Sequence, residues 1–249
     1  YVNYQYTSNR FIIEPGFRVQ KYTLGFSPEP RLGMKYNLTD KLRLKFATGI
    51  YSQNILSTVS DRDVVNLFYG FISGPEDIPL QANGEEYPHK LQKATHFISG
   101  IEYDLSTNMD LSIEGYRKNF TQQTNINRNK TSNADNDFVI ETGYAQGVDV
   151  LLKYSNKQLY LWSVYSLGFV RRNDGMREYA PHFDRRHNVN FVASYKFGRN
   201  NSWKTDLRWN LGSGFPFTQT QGFYESLTFE DGINTDYTSV NGDLGIQYA

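Results

Sequence analysis

The 249-residue sequence has no cysteine, which excludes disulfides and any Cys-based metal or redox site. That lack suits an oxidising compartment that avoids stray thiols, although a cytosolic chain can share it. Neither sign of charge is in excess: 26 Lys+Arg meet 26 Asp+Glu, for a formal net charge of +0. Nucleic acid, which demands a basic footprint, is therefore not expected as a partner. No stretch approaches the roughly 20 apolar residues of a spanning helix, and the mean hydropathy is −0.60. Neither fact excludes a membrane barrel, whose tilted strands need only about 9–11 residues with every second one apolar. No signal peptide is visible. Both ends read as strand, Tyr1-Val2-Asn3-Tyr4-Gln5-Tyr6 and Leu244-Gly245-Ile246-Gln247-Tyr248-Ala249, so a piece of something longer is expected. Nucleophile elbow, phosphate loop, HExxH and dinucleotide fingerprint are all missing. No spacing of Ser, His and acid favours a triad, so neither an enzyme nor a bound cofactor is expected.

What is present is alternation. In Leu42-Arg43-Leu44-Lys45-Phe46-Ala47-Thr48-Gly49-Ile50-Tyr51, the side chains of Leu42, Leu44, Phe46 and Ile50 share one face. Arg43, Lys45 and Tyr51 share the other, because strand side chains point alternately to opposite faces. The pattern returns at 32–38, 189–197 and 203–211. A soluble sandwich would put the apolar face inside; a membrane barrel puts it outside, against lipid, with charge lining a wet interior. Aromatics make up 16% of the chain, with 19 Tyr and 17 Phe. Aromatic girdles of a barrel, sandwich cores and carbohydrate-binding faces all give such an excess.

About eleven runs read as strands by this period: 1–7, 10–22, 30–38, 41–53, 94–105, 109–121, 138–154, 158–172, 186–198, 202–213 and 238–249. Short turns such as Thr39-Asp40, Ser106-Thr107-Asn108 and Ser155-Asn156-Lys157 alternate with longer connections at 23–29, 54–93, 122–137, 173–185 and 214–237. A meander trimmed at one end and elaborated at the other favours the membrane barrel, with short periplasmic turns and long extracellular loops. Seven of the eight prolines fall in loops or at strand ends in this map. Pro15, inside a run, predicts a bulge. In the loop 54–93, Ser60-Asp61-Arg62-Asp63 resembles a helix cap, followed by Val64, Leu67, Phe68 and Phe71 at helical spacing. A short helix over the barrel mouth and a strand rising above the membrane are both open there.

Several local patterns together resemble the TonB-dependent outer-membrane receptor family. They are Arg10-Phe11-Ile12-Ile13-Glu14-Pro15-Gly16-Phe17-Arg18, Glu29-Pro30-Arg31 with Gly49-Ile50-Tyr51-Ser52-Gln53, and Ala94-Thr95-His96 with Gly100-Ile101-Glu102. Gly143-Tyr144-Ala145-Gln146-Gly147-Val148-Asp149, Asp184-Arg185-Arg186-His187 and Gly212-Ser213-Gly214-Phe215-Pro216-Phe217-Thr218 continue the series. The resemblance implies an all-β, antiparallel transmembrane β-barrel of 22 strands, of which residues 1–249 would be the C-terminal half, without the plug domain and the final strands. It further implies a Gram-negative outer-membrane importer of a scarce nutrient (an iron chelate, a glycan or a peptide). The implied partners are outer-membrane lipid, the TonB complex acting through the plug, a small nutrient ligand and a surface lipoprotein. A structural or assembly barrel subunit, or a passive porin, remains the alternative.

Site candidates are few. Asp61, Asp63, Phe68 and Tyr69 in the longest loop, with Arg171, Arg172, Arg185 and Arg186 flanking another, are the ligand-binding candidates. The arginines suit an anionic ligand or a lipopolysaccharide phosphate, but a solvated rim is the favoured reading. His182, Asp184 and His187 read as loop polarity and a strand start rather than as metal ligands. Asp61/Asp63, Glu76/Asp77 and Glu85/Glu86 lack a full calcium-loop spacing. Asn-x-Ser/Thr triplets, as at Asn37, Asn119, Asn129 and Asn200, arise by chance in an Asn-rich chain. The expected inward-facing set is mixed in sign: Arg18, Arg31, Lys35, Arg43, Lys45, Glu102, Asp104, Asp149, Lys153, Lys196, Lys204, Asp206, Arg208 and Asp243. Strand 158–172 is apolar on both faces, and its orientation is left unassigned.

Overall fold

The computed structural model describes residues 1–22, 25–57, 70–73, 78–81, 84–87, 89–127, 134–218 and 247–248. The chain is all-β. Its first strands are β1 (Val2–Asn3), β2 (Tyr6–Thr7), β3 (Phe11–Tyr22), β4 (Gly25–Asn37) and β5 (Leu42–Gln53). A small hairpin of β6 (Ile55–Ser57) and β7 (Phe71–Ser73) follows. Long strands β8 (Gln92–Ser106), β9 (Met109–Ile126), β10 (Phe138–Ser155) and β11 (Leu159–Asn173) come next. The chain goes on through β12 (Glu178–Tyr179), β13 (His187–Phe197), β14 (Trp203–Gly212), β15 (Phe217–Thr218) and β16 (Gln247–Tyr248). Twelve of these form one antiparallel sheet, a meander in the order β1-β3-β4-β5-β8-β9-β10-β11-β13-β14, with β2 on β3 and β12 on β11. Among the described residues the sheet does not close on itself.

Register decides which side chains share a face. One row runs Phe11, Tyr36, Leu44, Ile101 and Ile113, and continues through Val150, Tyr165, Val189 and Leu211. The neighbouring row runs Ile12, Lys35, Lys45, Gly100 and Glu114, and continues through Asp149, Ser166, Asn188 and Gly212. Adjacent rows point to opposite faces, so the sheet has one apolar and one polar side. Every described member of the expected inward set falls on the polar side. Asp243 lies outside the described residues. Strand β11 is now oriented: Leu161, Tyr165, Leu167 and Phe169 share the apolar side, and Trp162, Val164 and Ser166 the polar one.

Nothing described covers the apolar side. Phe46, Phe97, Ile101, Ile113, Leu207 and Trp209 are all exposed, and among the described residues the buried apolar side chains are few, Leu56, Leu91, Tyr179 and Ala180 with two prolines, Pro181 and Pro216. Monomeric water-soluble proteins rarely show apolar patches beyond a few hundred Å². From Met109 to Arg117 along β9, the apolar band measures about 26 Å at the usual strand rise. At the end with the short turns, it finishes in aromatics. Phe11 packs tilted against Tyr36 at 4.7 Å, and Tyr195 stacks on Phe197 at 5.8 Å, with Trp203 next to Phe197 at 6.4 Å. The Gly198–Asn201 turn there uses positive φ at Gly198, Asn200 and Asn201, which Gly and Asn tolerate.

Several expectations need correction. Only residues 23–24 separate β3 from β4, so 25–29 are strand and not part of a loop at 23–29. Pro28 and Pro30 sit in β4 opposite Val19 and Phe17. Their nitrogens face β5, where direct pairing stops at Arg31↔Gly49, so no ladder bond is lost. Strand β9 reaches Ile126, shortening the connection expected at 122–137. Pro15 makes no bulge: the register through Glu14↔Gly33, Pro15↔Leu32 and Gly16↔Arg31 is unbroken. Its carbonyl accepts from Tyr4 N–H at 3.0 Å, so its missing donor faces the gap between β1 and β2. Irregularities fall instead at Lys93/Ala94, Asp104/Ser106 and Glu141/Gly143. The expected helix start at Ser60–Asp63, and most of the strand expected at 238–249, lie outside the described residues. Phe71, expected on that helix, is in strand β7.

Candidate functional site

The polar side carries a lattice of opposite charges over β4, β5, β8 and β9. Glu102 accepts from Lys35 at 3.0 Å, Lys45 at 2.9 Å and Arg43 Nε at 3.2 Å. Arg43 also forks onto both oxygens of Asp104, and Lys45 reaches Glu114 at 2.5 Å. Period-two patterning places these groups: Lys35, Lys45, Gly100 and Glu114 form one row, and Arg43 and Glu102 the next. All six side chains are a quarter to two-fifths exposed, so each isolated pair would contribute about 0.2–1 kcal/mol. Their sharing of partners fixes the side chains into a wall of donors and acceptors.

Glycines on this side let long side chains lie along the wall. A Cβ at Gly147 would sit 2.6 Å from Tyr116 Oη, and one at Gly100 would sit 2.8 Å from Glu114 Cγ. Arg31 lies across Gly49 in the same way, its guanidinium 4.5 Å from the Tyr51 ring centroid. Tyr51 also stacks with His96 at 4.3 Å. Beside this group runs an open groove of about 640 Å³ lined by Asn3, Glu14, Arg18, Arg31 and Tyr51.

Three buried carboxylates pin the end of the sheet that carries the long connections. Glu29 is 0% exposed; it accepts from Gln20 at 2.7 Å, Arg31 at 2.8 Å, Ser52 Oγ at 2.7 Å and Ser52 N–H at 3.1 Å. It thus takes over where the β4–β5 backbone ladder ends. Glu141, 1% exposed, accepts from Tyr179 Oη at 2.7 Å and Asn125 at 3.4 Å. Asp184, also 1% exposed, accepts from Val170 N–H at 2.9 Å, Arg171 at 2.9 Å and Arg186 at 2.8 Å.

This sorts the candidates. Arg171 and Arg186 come together, but on Asp184. Arg172 packs its guanidinium 5.4 Å from Phe120, and Arg185 packs 4.1 Å from Phe215 beside Gly212. The four arginines therefore do not converge on one vacant anion site. Asp61, Asp63, Phe68 and Tyr69 lie outside the described residues, as do Glu76 and Asp77. His187 pairs with Tyr165 Oη at 2.9 Å, while His182 sits edge-on to Phe183, so they do not share a centre with Asp184. Among the described residues no group of three His, Cys, Asp or Glu could hold a metal ion. Sequence reasoning missed Glu141 and Tyr179 as a buried pair. Glu29 was visible only as part of Glu29-Pro30-Arg31. Lone polar residues near strand ends carry no periodic signal that marks them as buried. No family model matches the chain, and no curated protein or solved structure matches it.

Proposed function

We propose that this sheet is part of the wall of an outer-membrane β-barrel of the TonB-dependent type. It would import a scarce nutrient under energy supplied from the periplasm, without chemistry of its own. One observation supports this reading most: every charge in the polar lattice lies on one side, while the opposite side is apolar, uncovered and edged with aromatics. In water such a surface would aggregate; against lipid it is the stable arrangement. The charged wall would then face a wet interior, where a plug domain or a passing solute finds donors and acceptors. The order of the family-like patterns favours an importer over a passive porin or an assembly subunit. Intact-mass measurement of the native polypeptide in an outer-membrane fraction tests it. A mass well above 28.8 kDa, with plug-like peptides upstream of Tyr1, is expected. A mass near 28.8 kDa would remove the importer reading and leave an assembly subunit.

A further inference from the structure

Charge is distributed unevenly on the apolar side. In the long strands of the main sheet, the register puts only Lys21, Lys93, Arg117 and Arg171 there, and no acid. All four lie towards the end with the long connections. Arg171 is compensated by Asp184 at 2.9 Å and approaches Glu178 at 3.8 Å. Arg117 differs. It is exposed, and its described partners are all neutral: Nε donates to Asn119 Oδ1 at 2.9 Å and Nη1 to Gln146 Oε1 at 2.5 Å. Its guanidinium also lies 4.6 Å from the Tyr144 ring centroid. The cation is thus held in one orientation, at the edge of the apolar band, without a counter-charge.

Resting on the membrane reading above, we propose that Arg117, braced by Asn119, Tyr144 and Gln146, is a docking site for the phosphate headgroup of a membrane lipid, with Lys21 and Lys93 extending it as a cationic collar. Charge complementarity argues for phosphate. A guanidinium presents paired N–H donors to phosphate oxygens, and a lipid whose tail lies on the apolar band brings its headgroup to this level. At the opposite, aromatic end no long-strand cation lies on the apolar side; the cations there, Arg10, Lys41, Lys157 and Arg199, are exposed in the turns.

The test places the full chain in phosphatidylcholine nanodiscs holding a minor fraction of phosphatidic acid, and reads retained lipid by native mass spectrometry. Retention of phosphatidic acid over phosphatidylcholine is expected. Arg117→Gln should lower it about fivefold, the worth of one basic residue at a membrane surface. Lys153→Gln, the same charge change on the polar side, should leave it unchanged. No preference for phosphatidic acid, or equal loss in both variants, overturns the proposal. Quenching of Trp203 and Trp209 by brominated phosphatidylcholine is read in parallel. Quenching without lipid preference removes the collar alone, and absence of quenching removes the membrane reading itself.

Discussion

Replacing Ile113 by arginine separates a lipid-facing sheet from a water-facing one. Ile113 is 40% exposed on the apolar side, in a central strand, flanked by Ile101 and Val150. If that side meets lipid near the bilayer midplane, Ile113→Arg costs about 2–4 kcal/mol, which lowers the folded-to-unfolded ratio about 30- to 800-fold. If the side meets water, an exposed substitution changes stability by only about 0.5 kcal/mol. Ser112→Arg is the control. Ser112 lies one residue away on the polar side, opposite Glu102, where a cation is welcome. Both variants are unfolded in urea from lipid vesicles and followed by tryptophan fluorescence. Equal midpoints for the two would refute the facing assignment and, with it, the membrane reading.

Three further outcomes follow from the carboxylate pins and the glycine slots. Glu29→Ala leaves the donors of Gln20, Ser52 and Arg31 without their acceptor, so about 1–3 kcal/mol is lost. Earlier proteolysis in the 54–91 connection should report it, and an unchanged cleavage rate would contradict the pin. Asp184→Asn removes the negative charge between Arg171 and Arg186, at a cost of about 3 kcal/mol. Hydrogen exchange at Val170 N–H should quicken, and protection equal to wild type would count against it. Gly147→Ala forces Tyr116 and the Leu167 carbonyl to move, a penalty of about 1–3 kcal/mol. A thermal scan in which Tyr116→Ala recovers none of that penalty would place the strain wholly in the backbone contact.

The facing of the sheet was legible because period two is the strongest local signal a strand has. Lys35, Arg43, Lys45, Glu102 and Asp206 could be assigned from alternation alone, and the register agrees. Strand β11 was illegible for the same reason: Leu161, Trp162, Val164 and Tyr165 offer no contrast, and only pairing to β10 and β13 orients it. Pro28 and Pro30 misled, because the rule that keeps proline out of strands concerns the missing N–H rather than the residue. Here that N–H would point where β5 no longer pairs. Of the site candidates, the arginines were correctly located near one connection, but their partner was not foreseen. Asp184 stood out as the start of a strand, not as a charge buried between two of them.

The recumbent side chains of the polar side bear on motion along it. Tyr116 lying over Gly147 and Arg31 over Gly49 give the surface low relief, and the lattice sets the cations of β4 and β5, Lys35, Arg43 and Lys45, against the anions of β8 and β9, Glu102, Asp104 and Glu114. A body moving across such a surface exchanges one weak contact for another of similar depth. On the importer reading, no single pair would arrest a passing solute, which is the condition for throughput rather than storage.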